Sequence, residues 1–477
     1  MLSHAFHPSI LRAYDIRGTF GQTLFETDAT LLGYKLATYL QQTRQKKSYT
    51  LGIVRDGRQS SPLLHKALSK ALCQTGIHSV DFGTGPSPMG YFATFHTPID
   101  GVVIVTASHN PKEDNGFKIL LFGKNICGSE LQDFAKLPSA TPTPPDQRGT
   151  YTQKNILKAY ATHTLKALKQ IEPLAKTHKI KIAWDFSHGA MSVIRPFIEA
   201  ALPAYHYFLC DTLDGGFPSH DPDPTVPKNL AMLQECVTQK GCDIGFAFDG
   251  DGDRLGVVDH NGDIIHGDRL VAILAQDVLK HHQGATILAD MKSSRVFQQT
   301  ITKHGGIPLL TRTGHSFIKE KMKETGALLA GEMSGHIFFA DENEGYDDGF
   351  YAACRVLRLL NRTGKSMEAL NANLPTYAST PEIKIPLQEH LRCQVIQDVR
   401  HYLQASAISF LDEDGVRAET KDGWWLIRSS HTEDFLILRF EGYNPKALEV
   451  IQHQCLTILE KVSLETRKLA TKMIPFL

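Results

Sequence analysis

Apolar positions along this chain come in short runs separated by polar turns, and three long stretches share one plan. Residues 50–83 (TLGIVRDGRQSSPLLHKALSKALCQTGIHSVDFG) begin with an apolar run and pass through a polar turn. They continue with Leu64, Ala67, Leu68, Ala71 and Leu72 at helical spacing. Gly76 ends that helix, and HSVDFG resumes extended structure. Residues 179–210 and 285–310 repeat the order strand, turn, helix, strand. Each first strand ends beside an aspartate (Asp56, Asp185, Asp290), followed by small or polar residues that open a helix. Three such units predict three related α/β domains.

The C-terminal pattern differs. AISFLDEDGVRAETKDGWWLIRSS and HTEDFLILRFEG are short extended runs joined at Asp-Gly pairs, which predicts an antiparallel sheet. Residues 136–150 and 371–386 read as linkers, the first rich in Pro and Thr. The expected fold class is α/β, with three similar mixed-sheet α/β domains plus a smaller C-terminal α+β domain. Their expected spans are 1–150, 151–262, 263–374 and 375–477.

Composition narrows the function classes. The 51 Lys+Arg balance 51 Asp+Glu, which argues against a general nucleic-acid footprint. Apolar residues make up 42%, ordinary for a packed soluble protein, and no run approaches the ~20 residues of a membrane span. The start, MLSHAFHPSI, lacks the basic and apolar regions of a secretory signal. Eight scattered cysteines form no Cys-x-x-Cys pair, so a disulfide framework or structural zinc site is not expected. A reducing cytoplasm is the natural setting.

Chemistry concentrates in a few loops. In FAFDGDGDRLGVVD (246–259), Asp249, Asp251 and Asp253 alternate with Gly250 and Gly252. Carboxylates this close repel one another unless a cation neutralises them, and hard oxygen donors suit Mg²⁺ or Ca²⁺. An EF-hand loop would need Gly at 254 and Glu at 260, where this chain has Arg254 and His260. A solvated Asp-Gly turn is the bland alternative. Arg254 beside such a site implies an anionic substrate.

VTASHNPKED (105–114) leaves the apolar run GVVIV and presents Ser108 beside His109. Serine is common in turns, so Ser108 alone is either a turn-former or a nucleophile. Lys118 enters the following apolar strand, where it is a surface residue or a phosphate clamp. Arg17 sits in the Gly-bounded turn of AYDIRGTFG. Arg428, Ser430 and Thr432 fall within five positions, a kit for phosphate or carboxylate as readily as a polar hairpin turn. Glu332, Ser334 and His336 interrupt two apolar strands, facing either a ligand cleft or solvent. His315 opens a helix, as a cap or a ligand. Trp424 and Trp425 suit sheet packing better than sugar stacking.

TASHNP, FDGDGDR, GEMSGH and RSSHTE, in that order, resemble the four signature loops of the α-D-phosphohexomutases, in particular the bacterial phosphomannomutase/phosphoglucomutase group. The likeness runs from Tyr14 to Arg439. It implies domains arranged around a central cleft and a phosphoserine at Ser108. It also implies Mg²⁺ held by Asp249, Asp251 and Asp253 with that phosphoryl group. Arg17, His109 and Lys118 would handle protons and charge near Ser108. Tyr14, Arg254, Lys292, His315, Glu332, Ser334 and His336 would contact substrate, and Arg428, Ser430, His431 and Thr432 would grip the phosphate that is not reacting.

The implied reaction moves a phosphoryl group between O1 and O6 of mannose or glucose phosphates through a hexose 1,6-bisphosphate, which also serves as activator. Closure of the fourth domain, with 371–386 as hinge, would exclude water. Phosphoglucosamine mutase and a metal-dependent sugar-phosphate phosphatase are the rival readings. Thr106 and Met333 favour hexose over amino sugar. The partners expected are small hexose phosphates, with no nucleic acid or membrane, and the chain is expected as a monomer or weak homodimer. Two departures stand out: His431 replaces the usual Asn, and Asp434 replaces a Pro and adds negative charge near a phosphate.

Overall fold

The computed structural model describes residues 4–44, 46–168, 179–430 and 434–473. They fall into two compact units. The first comprises Met1–Leu270 and Ser334–Asn371, the second Val271–Met333 and Ala372–Leu477.

The first unit holds two sheets. One contains β1 (Ile16–Thr19), β2 (Thr50–Arg55), β3 (His78–Thr84), β4 (Gly101–Val105), β5 (Asp114–Leu121), β6 (Lys124–Asn125) and β7 (Tyr151–Gln153). Its order is β1-β5-β4-β2-β3-β7, with β6 on β5. Strand β2 runs parallel to β3 and β4, and β4 runs antiparallel to β5. Strand β4 has neighbours on both sides and is buried along its whole length, which explains why GVVIV is continuously apolar rather than alternating. Gly76, with φ +85°, follows the helix Ser61–Gln74, a left-handed position that a side chain would resist. Strand β7 lies just past the expected border at 150 and adds to this first sheet by pairing with β3.

The second sheet has β8 (Lys181–Asp185), β9 (Tyr205–Leu209), β10 (Ile244–Phe248), β11 (Leu255–Asp259) and β12 (Ile264–Ile265), in the order β12-β11-β10-β8-β9. Strand β8 is parallel to β9 and β10, and β10 is antiparallel to β11. This repeats the arrangement of β3, β2, β4 and β5. In the second unit β13 (Thr286–Asp290) is parallel to both β14 (Ile307–Thr311) and β15 (Leu329–Gly331), the same three-strand kernel again. The repeat predicted from hydrophobic patterning is therefore a repeat of topology. The aspartates that mark it are buried, at 1% exposure for Asp56 and 0% for Asp185 and Asp290. Asp56 accepts from the Arg58 and Ser61 side of its turn, Asp185 from Ser187 N at 2.9 Å, and Asp290 from Ser293 Oγ at 2.7 Å. Each aspartate ties the strand end to the turn that follows.

The C-terminal part of the second unit is the antiparallel sheet expected. Val416–Glu419, Gly423–Ser429 and Phe435–Gly442 pair in succession. Gly415 and Gly423, the glycines of the two Asp-Gly pairs, both have positive φ. Ile383–Pro386 also pairs with Phe435–Gly442, as does Ala378–Ser379. Much of the segment read as a linker at 371–386 is thus built into the sheet, and its apolar Ile383 and Ile385 are what the pattern undervalued. The helices Glu389–Ala405 and Pro445–Val462 supply Val399, Leu403, Ile451 and Leu459 to a core with Trp425, Ile427 and Phe440. Trp425 packs into that core, while Trp424 lies under the Arg417 guanidinium at 3.8 Å and donates to Glu441 Oε1 at 2.8 Å. Both tryptophans are packing residues.

Among the described residues all eight cysteines are free, and no helix is long and apolar enough to cross a membrane. Truncating the buried ring in Trp425→Ala should cost about 3–5 kcal/mol of stability in the second unit. Urea unfolding read by hydrogen exchange should show Phe435–Gly442 losing protection at lower denaturant, with β2 and β4 unchanged. An unmoved transition would contradict the packing described.

Candidate functional site

The loop after β4 gives the first unit its chemistry. Ser108 is 2% exposed although Pro111, Lys112 and Glu113 at the loop tip are open to solvent. Its φ is +51°, a left-handed value that costs a non-glycine residue about 1–3 kcal/mol and recurs at functional sites. Two devices hold it there. The Thr106 hydroxyl accepts from Ser108 N at 2.9 Å. Arg58, fully buried, donates to four carbonyls of the same loop: Ser108 at 2.8 Å, Asn110 at 2.7 Å, Pro111 at 2.5 Å and Asp114 at 3.0 Å. Arg58 itself is held by Asp56, 3.2 Å from its Nε. The planar guanidinium suits this task because its donors fan out in a fixed plane.

The loop after β10 supplies the carboxylates. Ser108 Oγ donates to Asp249 Oδ2 at 2.7 Å. Asp249, Asp251 and Asp253 are all 0% exposed, and one oxygen from each lies within 4.8 Å of the others. Lys118, on β5, donates to Asp251 Oδ2 at 2.7 Å and to Asp253 Oδ2 at 2.5 Å. Burial opposes the Lys118 charge, yet Asp251 and Asp253 outweigh it and raise its pKa well above the usual lysine value. Burial, then the charges of Asp251 and Asp253, push the Asp249 carboxyl well above its usual range. Ser87, at the start of the helix Ser87–His96, donates to Asp251 through both its backbone N–H and its hydroxyl.

The donor set fits a small hard divalent cation. Oδ1 of Asp251 and Oδ1 of Asp253 are buried without a hydrogen-bond partner among the described residues. They are anionic oxygens on the side of each carboxylate that Lys118 does not occupy. Gly250 brings this loop against the serine loop, since a Cβ there would collide with the Ser108 carbonyl oxygen.

Arginines and a histidine lie around the serine. His109 Nδ1 lies 3.2 Å from Ser108 Oγ. Burial first, then Arg254 and Arg17, lower its pKa well below the usual imidazole value, so the ring is neutral at physiological pH. Arg17 donates to Asn110 Oδ1 at 2.7 Å and to Asp15 Oδ2 at 2.5 Å. Arg254 Nε donates to His336 Nε2 at 3.0 Å, and His336 Nδ1 lies 3.0 Å from Asp347 Oδ2 and 3.4 Å from Asp253 Oδ1. Tyr14, half-buried, is near enough to raise the pKa of both Arg17 and Arg254. Ser334 is half-buried in the same unit.

The second unit gathers the remaining candidates that are described. Lys292 Nζ lies 3.1 Å from Glu382 Oε1 and 3.7 Å from Asp290 Oδ2. Burial opposes its charge, but Glu382 and Asp290 raise its pKa, and Arg428 and Glu332 act on it as well. Glu332 Oε1 accepts from Gly314 N at 2.7 Å, just before His315. Gly314, with φ +127°, takes the cap position, and His315 is the first helical residue. Arg428 Nε donates to Asp414 Oδ2 at 2.9 Å, while its Nη2 is buried with no hydrogen-bond partner among the described residues. Ser430 N donates to Phe435 O at 2.9 Å. His431 and Thr432 lie outside the described residues. Asp434, expected to repel an anion, accepts from Arg392 Nη1 at 3.1 Å, so its charge is matched.

Sequence reasoning missed Arg58, Asp347, Glu382 and Asp414. For Arg58 a signal was present: it lies two residues beyond the aspartate that closes β2, in the domain that carries Ser108. Glu382 pairs with Lys292 far along the chain, and Asp347 and Asp414 pair across spacings too long for a local motif.

Family models of phosphoglucomutase/phosphomannomutase match in four consecutive pieces. The α/β/α domains I, II and III cover residues 8–131, 158–262 and 266–377, and the C-terminal domain covers 382–458. The chain is 39% identical over 459 residues to the phosphomannomutase/phosphoglucomutase of Pseudomonas syringae, covering 95% of this chain and 96% of that protein. It is also 39% identical to the phosphoglucomutase of Neisseria meningitidis, over 94% and 96% of the two chains. A crystal structure of a phosphoglucomutase/phosphomannomutase family protein from Burkholderia thailandensis superposes with a TM-score of 0.86 at 35% identity, covering 96% and 99%. With its serine loop, aspartate cluster and cationic groups already in hand, the chain belongs to the phosphoglucomutase/phosphomannomutase family of the α-D-phosphohexomutases.

Proposed function

We propose that the chain moves a phosphoryl group reversibly between O1 and O6 of glucose and mannose phosphates, with Ser108 as its carrier. The observation that carries this reading is Ser108 Oγ, held in a left-handed turn 2.7 Å from a buried three-aspartate cluster. A turn-forming serine would need neither the cluster nor the Arg58 clamp.

In the proposed cycle the phosphoserine gives its phosphoryl group to the free hydroxyl of a hexose monophosphate. The Ser108 O–P bond breaks, and a bond from that phosphorus to the sugar oxygen forms, giving the 1,6-bisphosphate. The sugar then presents its other phosphate, and Ser108 takes that group back. The proton lost by the attacking sugar hydroxyl ends on the Ser108 oxygen and goes back to the sugar in the return step, where His109, neutral and 3.2 Å from Ser108 Oγ, is placed to accept it from the serine as a base. Asp249, Asp251 and Asp253 would hold Mg²⁺, which supplies positive charge to offset the phosphoserine dianion. Lys118 pairs with both Asp251 and Asp253; against burial it holds the Asp251 carboxyl below its usual range, whereas burial and the charge of Asp251 keep Asp253 above it. Arg17 and Arg254 offer charge to the moving phosphoryl group, whose transfer depends mainly on positioning and electrostatics. Tyr14, Lys292, His315, Glu332, Ser334 and His336 are assigned to the sugar and its hydroxyls.

Each unit suits one phosphate. Arg428, whose Nη2 has no protein partner among the described residues, fits the phosphate that is not reacting, with Ser430, His431 and Thr432. A phosphatase would not need this second group. Contacts to O3 and O4 are reusable when the sugar reverses, and glucose and mannose differ only at C2, so both should be substrates.

Intact-mass spectrometry of the purified protein should show one covalent phosphate, absent in Ser108→Ala together with mutase activity; a phosphate retained in that variant would sink the assignment. Glucose 1-phosphate and mannose 1-phosphate, each with a trace of its bisphosphate, should turn over at comparable rates, and complete rejection of either contradicts the reuse argument. Arg58→Lys should lower kcat by about tenfold to a hundredfold through misplacement of Ser108, with KM nearly unchanged; a loss confined to KM would refute the positioning role.

A further inference from the structure

A second cluster of metal-type donors lies in the first unit, away from the aspartates. Glu344 is bracketed by two imidazoles. His96, the last residue of the helix Ser87–His96, places Nε2 3.0 Å from Glu344 Oε1. His163, on the helix Leu157–Leu165, places Nε2 3.0 Å from Asn343 Oδ1 and 3.4 Å from Glu344 Oε2, so a bound ion would displace the Asn343 contact. One donor atom from each of the three lies within 4.8 Å of the others. The Phe92 ring stacks on His96 at 4.2 Å and lies 5.2 Å from His163, backing both imidazoles as their Nε2 atoms converge on the carboxylate. Glu344 Oε2 is buried with no hydrogen-bond partner among the described residues.

The donor types choose the ion. Two imidazoles and one carboxylate match a zinc set, whereas Mg²⁺ and Ca²⁺ take oxygen. Around a tetrahedral ion with bonds of about 2.0–2.2 Å, neighbouring donor atoms stand about 3.3 Å apart. The two His–Glu separations are of that size but run to different oxygens, 3.0 Å to Oε1 and 3.4 Å to Oε2, so the carboxylate presents one oxygen to each imidazole. Side-chain exposures of 36% for His96, 18% for His163 and 23% for Glu344 leave a path for entry and a fourth position open to water.

We propose that His96, His163 and Glu344 form a site for one Zn²⁺-class ion, separate from the aspartate cluster, that clasps three segments of the first unit. The segments matter to the catalytic groups. The helix that ends in His96 begins at Ser87, which donates to Asp251. Glu344 lies three residues before Asp347, the partner of His336. The ion would stiffen the framework around both without touching substrate. Asp185, Cys210 and His220 form another candidate trio. There His220 Nε2 already meets Asp185 Oδ2 at 3.0 Å and Nδ1 meets the Asp221 carbonyl oxygen at 2.9 Å, so a protonated ring is fully paired without a metal.

The test is a Zn²⁺ titration of the whole protein by calorimetry in saturating Mg²⁺, which keeps the aspartate cluster occupied. Wild type should bind one Zn²⁺ and melt at a higher temperature with it. His96→Ala and Glu344→Gln should each weaken that binding by about tenfold or more and lose the thermal shift, while Cys210→Ser keeps both. Co²⁺ in place of Zn²⁺ should give visible bands in wild type that are missing in His96→Ala. Absence of a Mg²⁺-resistant Zn²⁺ equivalent overturns the proposal. So does an equivalent unchanged in His96→Ala and Glu344→Gln, or one lost only in Cys210→Ser.

Discussion

Three carboxylates sharing one buried pocket cannot all ionise unless positive charge reaches them. In this chain part of that charge is built in: Lys118 bridges Asp251 and Asp253 from the neighbouring domain. The rest of the first unit serves this arrangement. The glycines at 250 and 252 let the carboxylates turn toward one point, and Ser87 adds donors from a helix start. A serine oxygen brought beside Asp249 is then close enough to share whatever charge the pocket collects. Removing the lysine would leave like charges facing one another in a dry site, where such repulsion is strongest.

The serine needs a scaffold of its own because its backbone is strained. A left-handed serine relaxes unless the carbonyl oxygens of its loop are held from outside. Arg58 does so through four of them at once, and it is fastened by the aspartate that closes the neighbouring strand. The same aspartate position recurs at the end of β8 and of β13, where it braces a turn and lies beside a different partner, His220 and Lys292 respectively. One structural habit, used three times, became part of the scaffold that holds Ser108 in the first domain.

Much of this was legible in the sequence because the signals were local. Alternating Asp and Gly at 249–253, the strand–serine junction at 105–108 and the Asp-Gly turns near 415 and 423 are each decided within a few residues. What stayed hidden depended on partners far along the chain. Lys118 read equally well as a surface residue until its strand was seen to point into the carboxylates. Arg58 looked like one more polar residue after a strand. Asp434 looked like stray charge, and Arg392, forty-two positions away, matches it. The strand Ile383–Pro386 was read as linker because its two buried isoleucines are too few to stand out beside the prolines around them.

Gly250 has a wider implication. The backbone of the aspartate loop rests directly on the serine carbonyl, so the two loops, though they come from different sheets, are shaped as one surface. Neither can drift in sequence length or bulk while the other stays fixed. A chimaera that exchanged only one of these domains with a distant relative would inherit mismatched halves of a single mould, and Ser108 would stand away from the aspartates even with every one of these side chains present.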